Sequence, residues 1–101
     1  MKLLIITAVK VFEKEVKMIL KKSDIKIFSY TDIKGFRDST EESVESNWFA
    51  SEMNESQSIM FYSFADKEKT DVLFNYVNEF NTTQKTLSKI HVVILNVEKS
   101  N

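Results

Sequence analysis

Four stretches of strand-like alternation and two stretches of helical spacing share this chain, and no proline interrupts any of them. Their order constrains the fold more than any other feature. Residues 2 to 9, Lys2-Leu3-Leu4-Ile5-Ile6-Thr7-Ala8-Val9, are apolar and β-prone and predict a central strand. Phe12, Val16, Ile19 and Leu20 then fall at i, i+4, i+7 and i+8, one face of a helix, leaving Glu13, Lys14, Glu15, Lys17, Lys21 and Lys22 for solvent. The acids come early and the lysines late, as the helix dipole favours. Ser23-Asp24 ends that helix, and the alternation from Ile25 to Ile33 predicts a second strand.

Gly35, the only glycine, closes this strand; a glycine there is expected to take positive φ and lead the backbone out of the sheet. Residues 37 to 55 carry Ser, Asn and acids with no clear period, long for a plain connection. Ser39 and Glu42 are spaced as a capping box, which places a short helix within it. Gln57 to Ala65 alternate as a third strand, and Asp66 is a good N-cap for the helix predicted by Val72, Leu73, Tyr76, Val77 and Phe80. Asn81-Thr82-Thr83 is its expected stop, residues 84 to 88 a polar turn, and Ile90 to Val97 the last strand.

The order β-α-β-β-α-β is the split β-α-β plan: an α+β, ferredoxin-like sandwich with a four-stranded antiparallel sheet and two helices on one face. Residues 1–101 are read as a single domain with one long excursion at 37–55. Several strands are apolar at both alternations, so the face without helices is apolar too and calls for a partner. A domain of this size has a narrow stability margin, which assembly would widen.

Net charge is −1, which provides no general attraction to nucleic acid or membranes. The distribution is uneven. Residues 1–36 hold eight lysines and four acids, whereas 37–55 hold Arg37 against Asp38, Glu41, Glu42, Glu45, Glu52 and Glu55. The chain has no cysteine, so disulfides, thiolate catalysis and Cys-based metal sites are excluded. The N-terminal apolar run is too short for a membrane helix, and Lys10 follows without a small-residue cleavage site; a cytoplasmic protein that does not itself span a membrane is expected.

Two short motifs carry a family likeness. Thr31-Asp32-Ile33-Lys34-Gly35-Phe36 resembles the strand end entering the T-loop of PII nitrogen-regulatory proteins, where an acid, Val or Ile, Lys, Gly and Phe follow in that order. Ser88-Lys89-Ile90-His91-Val92 resembles the exit of the PII B-loop, a Gly-Lys-Ile-Phe-Val pattern. The likeness covers about the first 36 residues and the last third of the chain. It implies a divergent PII-like signalling protein, a homotrimer whose sheets face the threefold centre. An anionic effector such as an adenine nucleotide would bind in the clefts between subunits. The segment 37–55 would then engage a protein partner such as a membrane transporter. The ligand residues so implied are Gly35, Phe36, Arg37, Lys85, Thr86, Ser88 and Lys89. Partner contacts would fall on Glu41, Glu42, Glu45, Trp48 and Phe49, because aromatics dominate interface hot spots.

This chain also departs from the PII pattern. Arg37-Asp38-Ser39 stands where PII continues Gly-Arg-Gln, and 37–55 lacks the Lys- and Tyr-bearing pattern of PII signalling loops. Gln84-Lys85-Thr86-Leu87-Ser88-Lys89 contains no glycine, so close backbone approach to a polyphosphate is hindered. The chain ends at Asn101, short of the arginine-bearing segment that clamps ATP in PII. PII-style sensing of ATP and 2-oxoglutarate is therefore not expected to carry over unchanged.

Each site residue keeps a plainer alternative. Lys89 is either an anion ligand or a solvated lysine at a strand start, and Arg37 either closes on that anion or pairs with Asp38 or Glu41. Trp48 and Phe49 either dock a partner or fold back as core. His91, the only histidine, is a core or interface residue, or a metal ligand if threefold copies or neighbouring carboxylates contribute. A metal-responsive protein of the CutA type and a small cofactor-free ferredoxin-like monooxygenase share this plan and stay open. No nucleophile–base signature, P-loop or His-Glu-x-x-His is present, and a non-enzymatic role is expected. Phe61 and Tyr62 are placed to stack bases, but the RNP signature and a basic face are missing.

Overall fold

A computed structural model describes residues 1–36 and 55–101 of the chain. Strand β1 spans Lys2–Val9, a 3₁₀ turn covers Lys10–Phe12, and helix α1 runs Glu13–Lys22. Strand β2 is Ser29–Phe36, β3 is Glu55–Ala65, helix α2 is Lys67–Thr83, and β4 is His91–Asn96. The sheet order is β2-β3-β1-β4 with every pairing antiparallel, the topology the periodicities predict.

Alternation decides which side chains meet the helices. Leu4, Ile6 and Ala8 of β1 and Ile59, Phe61 and Ser63 of β3 are buried against Val16, Ile19 and Leu20 of α1 and Leu73 and Val77 of α2. Phe61 is wholly buried, with Phe28 at 5.7 Å and Tyr30 stacked at 5.3 Å between ring centroids. Phe12 of the 3₁₀ turn meets Phe80 of α2 edge to face at 5.1 Å. The odd positions of β1 point to the other face, away from both described helices.

The end of α1 corrects two expectations. Gly35 does not take positive φ; it stays in the β2–β3 ladder opposite Ser56, and pairing continues to Phe36 opposite Glu55. The left-handed residue is Asp24, at φ 59°. Its N–H donates to the Lys21 carbonyl (3.1 Å) and that of Ile25 to Leu20 (3.0 Å), the two bonds of a Schellman cap. Ile25 is thereby buried beside Leu20, and β2 starts at Ser29 rather than Ile25, with Ile27 exposed. Local capping wins over the alternating pattern at 25–28.

Other boundaries move for similar reasons. β3 begins at Glu55, earlier than the alternation alone indicates. Asp66 occupies the N-cap of α2, but its side chain makes no capping bond. α2 runs through Thr83, where the Gln84 N–H donates to the Phe80 carbonyl (2.9 Å) and the hydroxyls of Thr82 and Thr83 donate back to the Glu79 carbonyl (2.9 and 3.0 Å).

Exposed ion pairs join neighbouring elements. Lys10 donates to Asp32 of β2, which raises the Lys10 pKa, and Lys17 bonds Glu13 at 2.8 Å, which lowers that of Glu13. Lys69 lies 3.4 Å from Asp24, and this contact chiefly lowers the Asp24 pKa. Such pairs contribute little in water, whereas holding a non-glycine residue left-handed costs about 1 kcal/mol. Asp24→Gly is therefore expected to stabilise the chain by up to about 1 kcal/mol in urea unfolding. A clear loss of stability would show that the ion pairs outweigh the backbone strain.

Candidate functional site

The uncovered sheet face is graded from apolar to polar. Register places Phe64, Leu3 and Leu95 in one row and Tyr62, Ile5 and Val93 in the next. Tyr62, Phe64, Val93 and Leu95 are each 43–51% exposed. The following row is Thr31, Met60, Thr7 and His91, and beyond it lie Ile33, Ser58 and Val9. At this polar end opens a groove of about 550 Å³, lined by Thr7, Ala8, Val9, Ile33, Gly35, Ser58, Leu87, Ser88, Lys89 and His91. The volume lies within the roughly 300–1,000 Å³ usual for small-molecule sites.

Of the residues expected to bind ligand, Gly35, Ser88 and Lys89 line this groove, although 53 positions separate Gly35 from Ser88 in sequence. His91 joins them; in the single chain it is exposed, not core. Phe36, Lys85 and Thr86 do not line it, and Phe36 is 71% exposed. Arg37, Glu41, Glu42, Glu45, Trp48 and Phe49, and the helix expected from Ser39 and Glu42, lie outside the described residues. Gly35 contributes room: without a Cβ, the strand wall leaves the groove open at that point.

Two amides that sequence reasoning passed over brace the segment that carries Ser88 and Lys89. Asn81, near the end of α2, donates from Nδ2 to the Ile90 carbonyl and accepts the Ile90 N–H at Oδ1, both at 2.9 Å. Lys89 Nζ donates to the Asn81 carbonyl at 3.0 Å. This clamp makes Ile90 a buried anchor ahead of β4, which begins at His91 rather than Ile90 and ends at Asn96 rather than Val97. Gln84 bonds within its own loop, to Thr86 and Ser88. The available signal was a pair of carboxamides at a helix C-terminus, where free carbonyls gather.

Chemically, the groove offers a lysine ammonium, serine and threonine hydroxyls and an imidazole around a strand edge. That set suits an anion bound by hydrogen bonds and one point charge. Among the described residues, no three His, Asp or Glu side chains lie close enough to hold a metal ion. No described helix is long and apolar enough to cross a membrane.

No protein-family model matches the sequence, and no curated protein matches it. Solved structures do. The PII of Arabidopsis thaliana bound to citrate superposes with a TM-score of 0.66 at 14% identity, over 95% of this chain and 76% of that one. CPII, a nitrogen regulatory PII-like protein from Thiomonas intermedia bound to ADP, AMP and bicarbonate, gives 0.60 at 12% identity over 97% and 94%. A candidate PII-like signaling protein from Thermus thermophilus gives 0.59 at 19% identity over 95% and 85%. The chain has the PII-like fold. Within that fold the connection 37–54 leaves from Phe36 and returns at its cross-strand neighbour Glu55.

Asn81→Ala removes both bonds to Ile90 and leaves a buried N–H unpaired. It should cost about 2 kcal/mol in chemical unfolding and loosen the groove wall. Equal stability of variant and parent would contradict the clamp.

Proposed function

We propose that this chain is a PII-like regulator that binds a small anionic effector in the groove beside Gly35, Ser88 and Lys89. One observation carries the reading. The fold brings together, in a single groove at the rim of the bare sheet face, three residues taken from both sequence motifs that resemble PII. The similar proteins support the chemistry, since one is bound to ADP, AMP and bicarbonate and another to citrate, all anions.

The assembly follows from the same face. A trimer burying the rows around Ile5 and Leu3 would set the polar end, and so the groove, at a boundary between subunits. A neighbouring chain would then supply a second wall and exclude water, which strengthens the Lys89 charge on a bound anion. The effector would act on the segment 37–55, which starts one residue beyond Phe36. Its Glu41, Glu42, Glu45, Trp48 and Phe49 would meet the protein partner, for which a membrane transporter is the expectation. Control requires that the effector bind one state of that segment better than another. The role is binding and signalling rather than catalysis, in a cytoplasmic, single-domain chain.

Calorimetry with AMP, ADP, ATP and bicarbonate tests the reading. At least one should bind, and Lys89→Ala should weaken it about tenfold or more, since a charged hydrogen bond contributes about 1.5–3 kcal/mol. Binding that is indifferent to Lys89 would move the site elsewhere, and no binding by any of the four would remove the nucleotide and bicarbonate forms of the reading.

A further inference from the structure

The loop 84–88 is knotted by one side chain. Gln84 Nε2 donates to the carbonyls of Thr86 (2.8 Å) and Ser88 (2.5 Å), and Oε1 accepts from the Thr86 N–H (2.8 Å) and the Thr86 hydroxyl (2.5 Å). A carboxamide has two donors and two acceptor positions. All four are used, within five residues. The consequence falls on Thr86. Its backbone N–H and hydroxyl are the kind of donors that would cradle a phosphate chain, yet both point to Gln84, and Thr86 does not line the groove. With no glycine in 84–89, the backbone has little freedom to present other amides.

We propose that Gln84 is a specificity-determining residue: by keeping both Thr86 donors inside its own loop it limits the groove to a compact oxyanion and denies it an extended polyphosphate. The groove is left with Lys89, Ser88 and its strand-borne hydroxyls, enough for one carboxylate, bicarbonate or single phosphate group. A second and third phosphate would be denied the Thr86 amide and hydroxyl, which Gln84 already holds. This inference rests on reading the groove as an anion site, and its test separates the two.

The experiment compares AMP with ATP by calorimetry on the full chain and on Gln84→Ala, with amide hydrogen exchange on both. In the parent, ATP should bind no more tightly than AMP. In the variant, the preference for ATP over AMP should rise about tenfold or more, as two freed donors become available. The Thr86 amide should exchange about tenfold faster, while those of Leu4 and Phe61 stay protected and show the fold intact. A parent that already prefers ATP tenfold, an unchanged ATP-to-AMP ratio in the variant, or an unchanged Thr86 exchange rate would each overturn the inference while leaving the anion site standing. If the parent binds neither nucleotide, the nucleotide reading fails. The inference then survives only if Gln84→Ala gains ATP binding, and falls if it does not.

Discussion

Two helices can cover only one face of a four-stranded sheet, and this chain makes both faces apolar. Leu4, Ile6, Ile59 and Phe61 are spent on the helices. Leu3, Ile5, Met60, Tyr62, Phe64, Val93 and Leu95 occupy alternate positions of the sheet strands, on the face away from both described helices. Apolar area left in water forfeits about 25 cal/mol per Å², and on this face Tyr62, Phe64, Val93 and Leu95 are each 43–51% exposed. The position of the groove follows from this imbalance. It sits where the bare face turns polar, between the end of β2 and the turn before β4.

The groove wall is held by side chains rather than by a glycine-rich backbone. Asn81 ties the end of α2 to Ile90, Lys89 bonds the Asn81 carbonyl, and Gln84 satisfies the turn from within. Such a wall is stiffer than a glycine loop and offers fewer free donors. Under the proposed anion reading, selectivity comes from what the loop withholds as well as from the charge it presents.

Much of this was legible in the chain because hydrophobic period is a strong signal over 6–17 residues. The strand and helix order, the buried faces of α1 and α2 and the bare apolar face all follow from spacing. The errors came where a single local bond outweighs a pattern. Ile25 looked like the first residue of an alternating strand and is instead the anchor of a helix cap set by Asp24. Gly35 looked like an exit from the sheet and is a ladder residue whose missing side chain opens the groove. Asn81 and Gln84 looked like ordinary polar residues of a turn. Their roles depend on partners two to nine residues away meeting in one geometry, which no period encodes. Lys89, Ser88 and Gly35 were singled out because short motifs mark them, and the fold places all three along one groove, a proximity that spacing alone does not show.

The account depends on the bare face being covered by copies of the chain. Sedimentation equilibrium of the parent and of Leu95→Glu, which sets a charge on the apolar end of that face, measures this directly. The parent should sediment at three times the 11.8 kDa of one chain, and the variant as a folded single chain. A parent that remains a monomer at micromolar concentration, or a variant that keeps the parent's mass, would contradict it.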